Sequence, residues 1–339
     1  MKAMILEKPA PVSTNPLREV QMEAPVPGPG EVLIRVKSCG VCRTDLHTVE
    51  GDLNLPRLPV IPGHQVVGEV AELGPGANLF HEGDRVGAAW LNSTCGICRY
   101  CSSGKENLCE NARFTGFNVN GGYAEMATVP EEYAYSIPEE FPDLQAAPLL
   151  CAGIIGYRAF KLSSVKPGQR LGLYGFGASA HVTIQVARHL GCEVYVVSRA
   201  GSHLALAEEL GAAWVGGSDE RPPVKLDASI IFAPAGEIVP AALESLEKGG
   251  TLVNAGIHMS DIPSLKYEKH LFYEKVLKSV TANTRDDGRE LMELAAKIPV
   301  HTTVKPYPLQ DANEALNDLK EDRMNGSGVL VVEKSTKIK

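Results

Sequence analysis

Residues 170–180 read RLGLYGFGASA, a short apolar strand that runs directly into a glycine-rich turn. A helical period of apolar residues follows from Val182 to Leu190. Gly175 and Gly177 permit a tight turn and the close approach of a pyrophosphate, which would bind at the helix N-terminus. Ala180 occupies the third glycine position of such a motif, where alanine is tolerated. The succession of strand, turn and helix predicts a dinucleotide site.

Alternating strand and helix patterns surround this motif from about residue 151 to residue 283. Such alternation is typical of an α/β domain with a doubly wound parallel sheet. The candidate strands lie at residues 170–174, 193–197, 213–215, 228–232, 250–254 and 276–281. These segments predict a six-stranded Rossmann sheet.

The end of the second of these strands bears on the choice of cofactor. Ser198 and Arg199 stand where a domain that prefers NAD would carry an Asp for the ribose hydroxyls. The missing carboxylate removes repulsion of a 2′-phosphate, which Arg199 and Ser202 could bind. The sequence therefore predicts NAD(P)(H) as cofactor, with a small preference for NADP. The alternative is that Arg199 is a solvated surface cation.

The N-terminal part of the chain has a different pattern, with short β-rich runs separated by proline and glycine. Examples are residues 31–36, 65–71 and 84–90, which predict a small barrel or folded sheet. After residue 284 we predict a helix at 289–297, a strand at 302–305, a helix at 309–319 and a strand at 328–332. We expect these elements to return to the first domain. The predicted domains are 1–150 with 284–339, and 151–283.

Four cysteines lie close together after the predicted strand at 84–90, in the spacing C-x2-C-x2-C-x7-C. They are Cys95, Cys98, Cys101 and Cys109. Four thiolates at this spacing can form a closed tetrahedron around a structural zinc ion, with no position left for substrate. An iron–sulfur cluster could use similar ligands, but no proline follows the last cysteine, which favours zinc.

A second candidate metal site involves Cys42 and His64, which lie 22 positions apart. A catalytic zinc uses three protein ligands and leaves the fourth position open. Cys151 is our candidate for the third ligand, and Thr44 and His47 follow Cys42 closely. The alternative is a buried thiol and an unrelated imidazole.

Composition excludes several classes of partner. The 339 residues include 33 Lys and Arg and 41 Asp and Glu, which gives a net charge of −8. Because acids and bases are mixed and no basic stripe is evident, nucleic acid is not an expected partner. No apolar run is long enough to span a membrane, and the first residues lack a signal peptide's apolar core. We expect a cytoplasmic protein with reduced cysteines.

Together these motifs resemble the zinc-dependent medium-chain alcohol dehydrogenases over essentially the whole chain, in particular the bacterial propanol-preferring and short tetrameric yeast types. The resemblance is carried by GVCRTDLH (40–47), PGH (62–64), WLN (90–92), the four-cysteine lobe, LCAGI (150–154) and the glycine turn at 175. Gln65 and Gly328 depart from the family, where Glu and Arg are common. The two changes together conserve the local charge.

The resemblance implies a GroES-like β-rich catalytic domain beside the Rossmann domain. It implies two zinc ions per chain, a catalytic one on Cys42, His64 and Cys151 and a structural one on the four-cysteine lobe. By motif position, Thr44 and His47 would form a proton relay, and Arg43 would contact a cofactor phosphate. A homo-oligomer, tetramer or dimer, is also implied.

The function implied is reversible hydride transfer between a primary alcohol or aldehyde and NAD(P)(H), with zinc polarising the substrate oxygen. Trp90 and Phe117 are candidates for the wall of the substrate pocket. Two alternatives stay open: a zinc-independent quinone or enone reductase of the same architecture, and a non-enzymatic interaction protein built on the zinc lobe.

Overall fold

The structure is a computed structural model that describes residues 1–257, 259–298, 300–324 and 326–332. The chain forms two compact units. The first unit contains Met1–Cys151, Ala282–Ala296 and the described residues from His301 onward. The second contains Ala152–Thr281 and the short segment 297–300.

The first part of the chain is mainly β-structure. Its strands and helices are β1 (Lys2–Leu6), β2 (Leu17–Gln21), β3 (Glu31–Val41), α1 (Arg43–Glu50), β4 (Gln65–Leu73), β5 (Arg85–Ala88), β6 (Leu91–Ser93), β7 (Arg113–Phe114), β8 (Met126–Pro130), β9 (Ala134–Ser136) and α2 (Asp143–Ala146).

The remaining part alternates helices and strands. Its elements are α3 (Ala152–Ser163), β10 (Arg170–Tyr174), α4 (Ala178–His189), β11 (Glu193–Val197), α5 (Gly201–Glu209), β12 (Trp214–Gly216), β13 (Leu226–Ile231), α6 (Ile238–Ser245), β14 (Leu246–Asn254), α7 (Tyr267–His270), β15 (Val276–Ser279), α8 (Arg285–Lys297), β16 (Val304–Pro308), α9 (Ala312–Lys320) and β17 (Ser327–Val331). None of the described helices has the length and apolar character needed to cross a membrane.

The second unit contains a six-stranded parallel sheet in the order β12-β11-β10-β13-β14-β15. Counted along the chain this is the order 3-2-1-4-5-6 of a dinucleotide-binding domain. The strands read as nearly continuous apolar runs because helices cover both faces of such a sheet. The predicted Rossmann sheet is confirmed, with every predicted strand present within a few residues.

The first unit is built around the long strand β3. Its seven-stranded sheet has the order β16-β17-β3-β4-β5-β9, and β8 also pairs with β3. Gly68 in β4 allows the close approach to β3, because a Cβ there would lie 2.1 Å from the carbonyl oxygen of Arg35. The apolar side chains of these strands form the core, which includes Val32, Ile34 and Val66. This unit is the GroES-like part of the predicted α/β fold.

The C-terminal elements differ from their predicted bounds for local reasons. Helix α8 begins at Arg285 and not at residue 289, because the Thr284 hydroxyl accepts from the backbone N–H of Asp287 at 3.2 Å. This is an N-terminal cap of the kind that Thr commonly forms. The strand predicted at 302–305 is β16, which contains Pro306 and Pro308. β16 lies at the edge of its sheet, where proline is tolerated.

The structure also differs from the predicted division of the chain at one important residue. Cys151 lies in the first unit, with Cys42 and His64, whereas the prediction placed it at the start of the Rossmann domain. The reason is that the preceding turn, residues 147–150, is buried in the first unit. There Leu150 packs against Gly87 of β5.

Candidate metal centre and cofactor turn

Helix α1 places the first candidate ligand. Cys42 is the N-cap of this helix, and its sulfur accepts from the backbone N–H of Thr44 at 3.3 Å. The Asp45 carboxylate in turn accepts from the backbone N–H of Cys42 at 3.0 Å. This reciprocal arrangement is a capping box in which a thiol takes the place usually held by Ser or Thr. The start of the helix therefore holds the Cys42 sulfur in a defined position.

Three side chains from distant points of the chain converge near this position. Cys42 Sγ lies 3.3 Å from His64 Nε2 and 3.9 Å from Cys151 Sγ. The three donor atoms all lie within 4.8 Å of one another. The structure thus brings together the three residues that the sequence predicts as ligands of a catalytic metal ion.

Asp45 orients the imidazole of this cluster. Its Oδ1 lies 2.9 Å from His64 Nδ1 and also accepts from the backbone N–H of Gly63. An ionised carboxylate can only accept, so Nδ1 carries a proton and Nε2 is the ring nitrogen that faces Cys42. Burial alone would lower the pKa of His64, but the charges of Asp45 and Cys42 outweigh it and raise that pKa. Metal-binding histidines usually donate the N–H of their other ring nitrogen to a carboxylate or a carbonyl in this way.

The two thiols are hydrogen-bonded to each other. The hydrogen bond from Cys151 lowers the pKa of Cys42 well below its usual value, and His64 adds to the effect. The same hydrogen bond, together with burial, raises the pKa of Cys151. A divalent cation would remove this competition by stabilising both thiolates.

The donor set and its spacing fit zinc. For bonds of usual length, a tetrahedral zinc ion separates two sulfur ligands by about 3.8 Å and a sulfur from a nitrogen ligand by about 3.6 Å. The observed separations are 3.9 Å for the two sulfurs and 3.3 Å for sulfur and nitrogen. Two thiolates and one imidazole leave a fourth position for substrate, as catalytic zinc sites do.

The four cysteines of the lobe form a second candidate metal site. Cys95 Sγ lies 3.9 Å from Cys101 Sγ and 3.5 Å from Cys109 Sγ, and Cys98 Sγ lies 3.5 Å from Cys101 Sγ. These separations again match the edges of a zinc tetrahedron. Backbone N–H groups of Ile97 and Cys98 lower the pKa of Cys95 to about 6, which favours a thiolate. This cluster fits a closed structural site.

The predicted relay and phosphate residues lie on the same short helix. Thr44 and His47 are three positions apart, so they share one face of α1. His47 Nδ1 lies 2.8 Å from a carboxylate oxygen of Asp52, just beyond the helix end. Arg43 is half exposed and donates to Asp322 at 2.7 Å. Cofactor binding through Arg43 would therefore compete with this ion pair.

An aromatic cluster adjoins the three-ligand site. Trp90 meets the His64 ring edge-on with centroids 5.0 Å apart. Phe117 lies 5.8 Å from Trp90, and Phe114 stacks on Trp90 at 4.9 Å. Sequence reasoning named Trp90 and Phe117 but missed Phe114. Phe114 lies in β7, which pairs with β6, the strand that follows Trp90, and no local sequence pattern indicates this pairing.

Gln65, which follows the ligand His64, is buried, and its side chain packs against Gly40. A Cβ on Gly40 would lie 2.5 Å from Gln65 Oε1, so the amide occupies the space that a larger residue would fill. Gln65 pairs in register with Gly40, and Gly328 pairs with the next residue, Val41. The two positions that depart from the family therefore lie on strands that flank β3.

The glycine turn is formed as the sequence predicts and leaves room for a ligand. Gly175 has a φ of +84°, and a Cβ there would lie 2.9 Å from the backbone nitrogen of Ala233. Gly177 is the N-cap of α4, and a Cβ on it would meet no atom of the described residues within 4 Å. Ala180 is fully buried in the core of the second unit. This open space at a helix N-terminus fits a dinucleotide phosphate.

The residues predicted to select the cofactor follow β11. Ser198 is buried, with its hydroxyl 3.5 Å from His203 Nδ1, whereas Arg199 is exposed. His203 was not singled out from the sequence. Its position at i+5 from Ser198, in the first turn of α5, could have suggested it.

Comparison with protein families matches both parts of the chain. Residues 28–139 match the alcohol dehydrogenase GroES-like domain, and residues 180–297 match the zinc-binding dehydrogenase family. A curated relative from Mycobacterium tuberculosis, "Probable alcohol dehydrogenase AdhA", is 50% identical over 337 residues, which cover 98% of this chain and 97% of the relative.

Solved structures show the same fold. A cobalt- and zinc-bound thermostable alcohol dehydrogenase from Pyrobaculum aerophilum superimposes with a TM-score of 0.89 at 28% identity, covering 98% of this chain and 99% of that one. The structure of CAD from Helicobacter pylori complexed with NADP(H) gives 0.86 at 25% identity, covering 99% and 100%.

Proposed function

Because this chain belongs to the zinc-type medium-chain alcohol dehydrogenases, we propose that it interconverts a primary alcohol and its aldehyde at Cys42, His64 and Cys151. Alcohol dehydrogenase activity itself follows from the family. The observation that carries the assignment of the site is the convergence of three donor atoms within 4.8 Å. Zinc at this site would polarise the substrate oxygen, and a bound nicotinamide would accept or donate the hydride.

The residues around the three ligands have distinct tasks in this proposal. Asp45 holds the His64 ring so that Nε2 would be available to bind the zinc ion. The Thr44 hydroxyl takes the proton that an alcohol loses and passes it toward His47, which is on the same face of α1. Trp90 and Phe117, with Phe114, form an apolar wall that favours small primary alcohols.

The cofactor site in this proposal uses the turn after β10. Gly175, Gly177 and Ala180, at the N-terminus of α4, would hold the pyrophosphate. That Arg43 contacts a cofactor phosphate stays a prediction from the resemblance. A small preference for NADP is supported by Ser198 and Arg199, since no carboxylate occupies the end of β11. That the related CAD structure contains NADP(H) is consistent with this preference.

We further propose a second, structural zinc on Cys95, Cys98, Cys101 and Cys109, which makes two zinc ions per chain. Their tetrahedral spacing supports this assignment. We also propose a cytoplasmic location, where these thiols would stay reduced. A homo-oligomer is supported by the exposed aromatic side chains next to β15, at the edge of the Rossmann sheet.

The test is to measure zinc content together with the oxidation of a panel of alcohols by NAD and by NADP. The wild-type chain should contain about two zinc ions, given one open and one closed site. Cys151→Ser should keep its fold, retain about one zinc ion and lose activity by a factor of about a thousand or more. Cys192→Ser, which changes a buried thiol outside both clusters, is the matched control.

The result also separates the rival functions. A zinc-independent quinone or enone reductase would stay active in Cys151→Ser and would reduce enones or quinones in preference to aldehydes. A non-enzymatic zinc-lobe protein would bind one zinc ion and turn over none of these substrates.

A further inference from the structure

Two histidine–aspartate pairs flank helix α1. In the first pair, Asp45 accepts from His64 Nδ1 at 2.9 Å, and the opposite ring nitrogen faces Cys42 at 3.3 Å. The carboxylate thus decides which nitrogen keeps the proton and which offers its lone pair. This arrangement belongs to the metal centre described above.

The second pair joins His47, in the last turn of α1, to Asp52. Asp52 Oδ2 lies 2.8 Å from His47 Nδ1. The backbone N–H of Asp52 also donates to the carbonyl of His47 at 3.0 Å. The helix ends between them at Gly51, which has a φ of +85° and turns the chain back toward the imidazole. Two hydrogen bonds therefore hold Asp52 against the same histidine.

The chemistry of this pair fixes the tautomer of His47. Asp52 is an exposed carboxylate and can only accept, so Nδ1 must be the donor. A neutral imidazole that donates from Nδ1 carries its acceptor lone pair on Nε2. Free imidazole has no such constraint, and either nitrogen can carry the proton.

We propose that Asp52 is a positioning residue that fixes His47 as the Nδ1–H tautomer, so that Nε2 is the atom that accepts the relayed proton. This inference rests on the proposed function, because only an alcohol-oxidising site delivers a proton to His47. The exposed fraction of the side chain rises from 19% at His47 to 48% at Asp52. Once Nε2 has accepted the relayed proton, the proton on Nδ1 can leave to water beside the exposed Asp52 carboxylate.

The other charged side chains of α1, Arg43, Asp45 and Glu50, are engaged elsewhere. Glu50 lies close enough to Asp52 to sense its charge, and it accepts from Lys320 of α9 at 2.7 Å. Arg43 pairs with Asp322, beyond the end of α9. Asp45 is directed to His64 on the buried side of the helix.

The tautomer can be observed directly by NMR of the protein with ¹⁵N-labelled histidine, in mildly alkaline buffer and without substrate. The spectrum of His47→Gln identifies the His47 signals. Wild-type His47 should show the Nδ1–H pattern, and Asp52→Ala should convert it mainly to the Nε2–H pattern. Asp52→Glu should restore the wild-type pattern in large part. Because Asp52 is on the surface, thermal unfolding should not change.

Turnover provides the second measurement. Asp52→Ala should lower the kcat for alcohol oxidation about tenfold with little change in KM, and Asp52→Glu should recover most of the loss. Asp84→Ala is the matched control, because Asp84 is also an exposed carboxylate beside a histidine, His81, at 3.5 Å. This control should leave both the His47 spectrum and kcat at wild-type values.

The possible outcomes separate this inference from the proposed function. An Nε2–H pattern in the wild type, or an unchanged pattern in Asp52→Ala, would overturn the inference even in a fully active enzyme. A wild-type chain that oxidises no alcohol would overturn the proposed function and the role of Asp52 in turnover. In that case a response of the spectrum to Asp52→Ala would still establish the tautomer assignment.

Discussion

Ser198 is a single residue on which the choice of cofactor depends. It is buried at the end of β11, between the core of the sheet and the exposed Arg199. An aspartate at this position would face the adenosine ribose and would repel a 2′-phosphate. Because Ser198 is neutral, no acidic residue lies next to Arg199 in the sequence to offset its positive charge.

We predict that Ser198→Asp lowers kcat/KM for NADP about a hundredfold and changes that for NAD by much less, because like charges brought together cost several kcal/mol. Steady-state kinetics with both cofactors at fixed alcohol concentration is the measurement. Ser13→Asp, an exposed position in the first unit, is the control. Equal losses with both cofactors would contradict a role of this position in selectivity.

His181 directly follows the glycine turn and shows how burial of one imidazole affects stability. It lies in the first turn of α4 with a fully buried ring, and its Nε2 has no hydrogen-bond partner among the described residues. Desolvation lowers the pKa of His181 to about 4. In the unfolded chain a histidine titrates near pH 6.5.

This difference in pKa between the folded and the unfolded chain predicts how the free energy of unfolding changes with pH. Between about pH 6.5 and about pH 4 the unfolded chain binds a proton that the folded chain does not, so stability falls as the pH falls through this window. The contribution at its acid end is on the order of 3 kcal/mol. His181→Leu should remove this part of the slope in urea unfolding measured against pH. His189→Gln, on the exposed part of the same helix, should retain it.

At the scale of elements, we expect the four-cysteine lobe to depend on a bound metal ion more than on packing. Its two strands, β6 and β7, are very short, and Cys95, Cys98 and Cys101 are only partly buried. A segment with so little apolar burial gains most of its order from ligand bonds.

Cys101→Ser should therefore reduce the zinc content from about two ions to about one and lower Tm by about 10 °C. Residues 94–113 should also become sensitive to limited proteolysis. Ser102→Ala changes the adjacent exposed side chain and should behave as wild type. A variant with two zinc ions and an unchanged Tm would show that these thiols do not hold a metal.

At the scale of the whole molecule, the edge of the Rossmann sheet is unusually apolar. β15 is the last strand in the order of this sheet, and three aromatic side chains precede it. Tyr267, Phe272 and Tyr273 are 64%, 54% and 48% exposed, and their rings contact one another. An open strand edge next to exposed aromatics is typical of a surface that is covered by another chain.

We expect a second copy of the chain to cover this surface in the proposed homo-oligomer. Phe272→Glu would bury a charge in such an interface and should raise the dissociation constant at least about a hundredfold. Light scattering coupled to size-exclusion chromatography should then give a lower molecular mass for the variant than for the wild-type oligomer. Leu79→Glu, at an exposed apolar residue of the first unit, should leave the mass unchanged. If Phe272→Glu keeps the wild-type mass, the interface is elsewhere.

Local patterns in the sequence were sufficient for much of this description. The glycine turn at 175–180, the alternating strands and the four closely spaced cysteines all lie within short segments, where backbone geometry and side-chain period limit the possible structures. The sequence by itself therefore determined the Rossmann sheet and the composition of the lobe cluster. It also showed that Thr44 and His47 follow Cys42 within five residues.

Only the tertiary structure decided which distant residues meet. Cys42 and Cys151 are 109 positions apart, and their approach depends on the burial of the turn before Cys151. Phe114 stacks on Trp90, and Arg43 forms an ion pair with Asp322. No local sequence pattern predicts either contact. The physical reason is that such contacts follow from the packing of whole elements, in which many residues contribute small energies that no short segment contains.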